Sequence, residues 1–150
     1  MGVLLRILVA AGLAADAYVH WVFAPDMDPG PNAPSGVIPG DVLFQAQAIV
    51  AAVAGLLVLA WARRWTYAIA FLVAASAVGA LLLYYYVDVG QLGPIPAMHD
   101  PSWYADKTIS GVGEGVAALA ALIGFFTVNR NREDEDPFPA NGTPQFDRMR

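Results

Sequence analysis

The chain has 150 residues, 57% of them hydrophobic and 14% charged, with a formal net charge of −5. The apolar share is above and the charged share below those of an ordinary soluble domain. Cysteine is absent, which excludes disulfides, thiolate metal sites, iron–sulfur clusters and haem attached through Cys. No complete catalytic signature, cofactor fingerprint or transport motif is present.

Four apolar stretches follow one another, at residues 2–24, 42–62, 65–87 and 107–128. Each approaches the ~20 residues that a helix needs to cross ~30 Å of hydrocarbon. None alternates with period 2, and an open sheet could not satisfy its backbone in lipid, so helices are expected. The first stretch also has features of a cleaved signal peptide, since Arg6 precedes an apolar run and Ala14, Ala15 and Ala17 are small. That run continues through Tyr18, Trp21 and Phe23 to spanning length, which favours a retained helix.

The first long connector, residues 25–40, reads PDMDPGPNAPSGVIPG, and its five prolines and three glycines predict a turn-rich segment that is neither helix nor strand. The second, residues 88–106, has the same character. Both are acidic, the first through Asp26 and Asp28, with Asp41 directly after the connector, and the second through Asp88, Asp100 and Asp106. Met27 and the Met98-His99 pair form a thin donor set for a soft metal such as copper; an ordinary solvated loop is the simpler reading. Residues 129–150 are polar, charged and proline-containing and are expected to form a disordered cytoplasmic tail. Within that tail Asn141-Gly142-Thr143 matches a glycosylation acceptor on the wrong side for that modification, and Phe138 and Phe146 are candidate docking residues.

Arg6, Arg63, Arg64, Arg130, Arg132, Arg148 and Arg150 fall on one side of the spans, and Lys107 alone on the other. The positive-inside rule then places both termini and the Arg63-Arg64 turn in the cytoplasm and the two long loops outside. Trp21, Trp61, Trp65, Trp103 and Tyr84 to Tyr86 lie near span ends and read as interfacial anchors. The expected fold is all-α, an integral membrane four-helix bundle, up-down-up-down, in a bacterial plasma membrane. Its expected partners are the lipid bilayer and a membrane-protein partner or second copy of the chain, with no nucleic acid.

Ionisable groups inside a span are costly, so Asp16, His20 and Glu114 are candidate site residues. Asp16 and Glu114 each lie eight residues from the outer end of their spans, about 12 Å deep, and so share a layer. His20 stands one turn above Asp16 at i, i+4 and shares its face. Gln45 and Gln47 enter from the second span at about 6 to 9 Å depth. Gly111, Gly113 and Gly115 flank Glu114 and let another backbone approach; Gly111 and Gly115 form a G-x-x-x-G pair. Ala48 with Ala52, Ala51 with Gly55, and Ala75 with Gly79 have similar small-residue spacing.

Three readings of Asp16, His20 and Glu114 are open: a hydrogen-bonded network that sets helix register, a site for a quinone headgroup, lipid headgroup or proton, and a site for zinc, iron or manganese. Haem fits poorly, since two imidazoles would have to face one cavity and His99 lies in a loop. No Ser or Cys nucleophile accompanies the histidine at helical spacing. The resident cofactor is left open by these residues.

His20-Trp21 closing the first span, Ala54-Gly55-Leu56, the turn Trp61-Ala62-Arg63-Arg64-Trp65 and Glu114 carry a resemblance to small four-span membrane proteins of actinobacterial type, and more distantly to the DoxX-like four-helix proteins. It covers residues 1 to about 128. The DoxX-like resemblance implies the four-helix fold and an association with membrane redox chemistry, and no catalytic residue is carried over from it. The proline-rich first outer loop and acidic tail depart from that family's pattern. The function expected is a non-enzymatic accessory or ligand-binding component of a membrane complex, the alternatives being a redox-linked protein acting on a quinone or metal, and a small proton-coupled transporter.

Overall fold

The computed structural model describes residues 2–30 and 35–128. The expected tail, with its sequon and its two phenylalanines, lies outside the described residues. Four α-helices follow in chain order: α1 (Gly2–Phe23), α2 (Gly40–Ala60), α3 (Arg64–Tyr86) and α4 (Ala105–Thr127). All four are long and apolar enough to cross a membrane. No strand occurs among the described residues. The protein is an all-α, up-down-up-down bundle and a multi-pass membrane protein, and the ends of its helices fall within two residues of the expected spans.

The long connectors share one end of the bundle, the loop end, opposite the three-residue turn Trp61–Arg63. That turn is tied by Thr66, which is fully buried. Its hydroxyl lies 2.6 Å from the Trp61 carbonyl and 2.8 Å from that of Arg63, and accepts the Arg63 N–H at 3.2 Å. At the loop end the expectation for the first connector needs one correction: Ala24–Met27 forms a 3₁₀ turn. Pro25 sits in its first turn, where a missing N–H costs nothing and the proline φ is already helical.

The side chains are sorted as lipid would sort them. The centre of the bundle is built from small residues, among them Ala51, Ala54, Ala70, Ala74, Ala117 and Ala121, all at most 2% exposed. Large apolar residues point outward instead: Leu72 is 64% exposed, Leu119 65% and Phe126 60%. In water this arrangement would forfeit hydrophobic stabilisation. In a bilayer there is no such force between helices, and close approach of small-residue faces supplies the packing.

Around the ring the order is α2, α1, α4, α3. The α1–α4, α1–α2 and α3–α4 seams are extensive, whereas α2 and α3, though joined by the short turn, meet over a much smaller area. The tightest crossing is between α1 and α4, where a side chain on Gly12 would collide with the Gly113 carbonyl oxygen, and one on Gly113 would come within 3.2 Å of both the Gly12 oxygen and the Ala15 Cβ. The backbone approach expected around Glu114 is therefore made by Gly113 with Gly12. Gly111 instead accommodates the Leu81 side chain of α3, and Gly115 has nothing near it. Of the other small-residue pairs, Ala51 and Gly55 face α1, with Gly55 against Ala10 and Leu13, while Gly79 is exposed.

Substituting Gly12→Val should separate α1 from α4 and lower stability by about 1–3 kcal/mol, the usual cost of overpacking. Gly115→Ala should be neutral or slightly stabilising, because open space adjoins it and alanine is the better helix former. Thermal unfolding in mild detergent measures both; equal effects at the two glycines would show that the crossing is not the tight point.

Candidate functional site

The Gly12–Gly113 crossing sets the register of the site. Asp16 is one turn beyond Gly12 and Glu114 adjoins Gly113, so the closest backbone approach brings two carboxylates from different helices into one layer. Asp16 is fully buried and Glu114 is 1% exposed. With His20 they converge, one ligand-type atom from each lying within 4.8 Å of the others.

Each carboxylate is held at one oxygen by a neutral donor. Gln47 on α2 donates Nε2–H to Asp16 Oδ2 at 2.9 Å, and Ser110, one turn before Glu114, donates its hydroxyl to Oε1 at 2.5 Å. His20 Nδ1 stands 2.6 Å from Asp16 Oδ1 and 3.1 Å from the Asp16 carbonyl. The imidazole is thus the close polar neighbour of both Oδ1 and the carbonyl of Asp16. Asp16 Oδ1 and Glu114 Oε2 are both buried without a hydrogen-bond partner. Such bare acceptors are uncommon in buried polar groups.

Beside this cluster, on the loop-end side of the α2–α3 seam, lies a cavity of 1010 Å³. His20, Gln47, Ser110 and Glu114 form the polar part of its inner wall, and Gln91, His99, Asp100 and Lys107 add polar groups at the connector end. Leu43 and Phe44 on α2 and Ala77, Ala80 and Leu81 on α3 give it apolar walls. The roof comes from the two connectors. Ile38 N–H donates to the Pro94 carbonyl at 2.8 Å, joining one connector to the other. Leu92 and Ile95 exchange two backbone hydrogen bonds of 3.0 Å around Gly93, whose φ of 60° needs no Cβ. Asp100 N–H and His99 Nδ1–H both donate to the Tyr84 carbonyl, at 3.1 and 2.8 Å, fastening the second connector to the end of α3.

Of the residues picked out from the sequence, the structure brings Asp16, His20, Gln47 and Glu114 together. Gln45 lies on the exposed face of α2 and takes no part. Met27, Met98 and His99 border the cavity roof, where the His99 ring is engaged by Tyr84. Ser110 was not singled out, although its position four residues before Glu114 was a readable signal. The acidic loop residues serve the backbone: Asp28, Asp88 and Asp100 each accept, through Oδ1, the N–H two residues on, the turn-forming pattern of short acidic side chains.

Lys107 closes the roof at the start of α4. Its ammonium donates to Asp100 Oδ2 at 2.7 Å, to the Asp100 carbonyl at 2.9 Å and to the Ser102 carbonyl at 2.8 Å. It also lies over the Tyr104 ring at 4.9 Å. The Lys107 hydrogen bond, followed by the Ser102 N–H, holds the Asp100 carboxyl below the usual carboxylate range.

No family model, curated protein or solved structure matches this chain.

A depressed carboxyl pKa favours the folded loop above the ordinary carboxylate range, and that contribution fades as pH falls through the depressed value. In Lys107→Gln the Asp100 carboxyl should therefore titrate at a higher pH than in the wild type, read by carboxyl-carbon NMR of the protein in detergent. An unchanged midpoint would assign the effect to the Ser102 N–H alone.

Proposed function

We propose that this protein binds an amphipathic small molecule of the membrane, a lipid or an isoprenoid quinone, in the cavity between α2 and α3. The ligand's polar head would meet His20, Gln47 and Glu114, and its apolar part would lie between Leu43, Phe44, Ala77 and Leu81. The observation that carries this reading is the cavity itself: 1010 Å³ of mostly apolar lining with a cluster of polar groups on its inner wall and others at the connectors, the usual construction of a small-molecule site and at the top of its usual size. The narrow α2–α3 contact supports entry from the bilayer through that seam. In this reading the protein is a non-enzymatic accessory or carrier component of a bacterial plasma membrane, working with a membrane-protein partner or a second copy of itself. Its loop end faces outward and its termini face the cytoplasm, as the arginine distribution supports. Kinship with DoxX-like proteins is part of the same proposal and assigns no activity.

A second reading has support in one observation. His20 borders the cavity and also contacts the buried Asp16 carboxylate, so a proton could pass between cavity and carboxylate, as a redox-linked or proton-coupled role would need.

Purification in mild detergent followed by mass spectrometry should recover an amphiphile at fixed stoichiometry. Ala77→Phe should expel it by filling the cavity while leaving the thermal midpoint of the ligand-free protein nearly unchanged. Recovery of bulk lipids alone, in amounts that Ala77→Phe does not alter, would defeat the binding reading. Glu114→Gln separates the second reading: it should abolish a proton-coupled phenotype while the protein still inserts and accumulates, and a purely structural carboxyl would tolerate it.

A further inference from the structure

We infer that Asp16, His20 and Glu114 form a site for one divalent first-row transition ion on the wall of the cavity. The three donors come from two helices locked together at the Gly12–Gly113 crossing, so their spacing is set by backbone contact instead of by flexible loops. One ligand atom from each lies within 4.8 Å of the others, a separation that small side-chain rotations can close onto an ion bound at about 2.0–2.2 Å.

A second feature points to a cation independently of that clustering. Gln47 holds Asp16 Oδ2 and Ser110 holds Glu114 Oε1, whereas Glu114 Oε2 is buried with no hydrogen-bond partner and Asp16 Oδ1 has the His20 ring 2.6 Å away. Each carboxylate is thus oriented by a neutral donor, and Glu114 keeps one buried oxygen without a partner, the arrangement by which supporting groups position metal ligands. Charge agrees as well. Two carboxylates, a neutral imidazole and a divalent ion sum to zero, which suits a layer about 12 Å inside an apolar bundle. Lys107, the cation that borders the same cavity, is already committed to Asp100 and Ser102.

The donor chemistry selects the ion. One nitrogen and two carboxylate oxygens suit zinc, iron(II) or manganese(II), and the absence of sulfur donors argues against copper(I). Three protein ligands leave further coordination positions, and because His20 and Glu114 border the cavity those positions face the space where a ligand would enter, as in metal sites that bind or activate a substrate. The metal site shares His20 and Glu114 with the amphiphile reading but is tested separately: metal uptake is measurable on delipidated protein, and lipid or quinone retention on metal-free protein.

The test uses the full-length chain in detergent, stripped with chelator and titrated with Co²⁺, with Zn²⁺ as the competing ion. The wild type should take up one equivalent of Co²⁺, develop a visible ligand-field spectrum that Zn²⁺ abolishes, and unfold at a higher temperature with either ion. Stoichiometric uptake should be lost in His20→Ala and in Glu114→Gln. Ser110→Ala, which keeps all three ligands, should weaken binding by roughly 10–100-fold, and Gln45→Ala on the exposed face should leave it unchanged. Because Ser110→Ala reads affinity without removing a ligand, misfolding of the other two variants does not decide the result. Absence of uptake by the wild type, or uptake equal in wild type and variants, would overturn the site. So would a protonated carboxyl band in the infrared that persists at saturating metal and disappears in Glu114→Gln, since a proton would then occupy the place assigned to the ion.

Discussion

Helices in a bilayer are not pressed together by water, and the fold of this protein depends on places where two backbones can approach, the tightest of them between α1 and α4. At the Gly12–Gly113 crossing neither helix has a side chain, and no other residue type would fit on the α1 side. That contact sets the axial register of α1 against α4 and, with it, the depth at which Asp16 and Glu114 meet. Around it, alanines on α2, α3 and α4 continue the close packing, so dispersion contacts between small faces hold the bundle where burial of large side chains would in water.

The same packing explains where the bundle is incomplete. α1 and α4 use their small faces on each other and each takes one further neighbour, α2 and α3 respectively. α2 and α3 are left with little to share beyond the turn that joins them. Their separation toward the loop end opens the cavity, and the connectors cover it through the Ile38–Pro94 bond, the two donors on Tyr84 and the three donated bonds of Lys107. A polar cluster at the tightest seam therefore borders a cavity at the loosest one. Carboxylates in an apolar bundle are tolerable only with donors or a counter-charge, and here Gln47, Ser110 and His20 stand against three of the four oxygens while Glu114 Oε2 has no partner.

Much of this was readable from the residues in order. Span lengths, the short inner turn and the shared depth of Asp16 and Glu114 follow from hydropathy and a rise of 1.5 Å per residue. The i, i+4 relation of Asp16 and His20 follows from helix geometry alone, as would that of Ser110 and Glu114. Gln45 and Gln47 could not be told apart in the same way. They lie two residues apart and on different faces of α2, and which face turns inward depends on the rotation of that helix about its axis. The weak amphipathicity of an alanine-rich span leaves that rotation open. Likewise three glycines flank or approach Glu114, and which of them meets another helix depends on where α1 crosses.

The helical class, the number of spans, the extent of the connectors and the layer at which ionisable groups enter the bundle can be read along the chain, because these depend on local composition and on the fixed rise and pitch of a helix. The pairing of Gly113 with Gly12, the hold of Gln47 and Ser110 on one carboxylate each, and the half-open cavity between α2 and α3 arise only when the helices pack. Those are properties of helix rotation and crossing, which are set by steric fit between faces far apart in the chain and leave no periodic trace in any one of them.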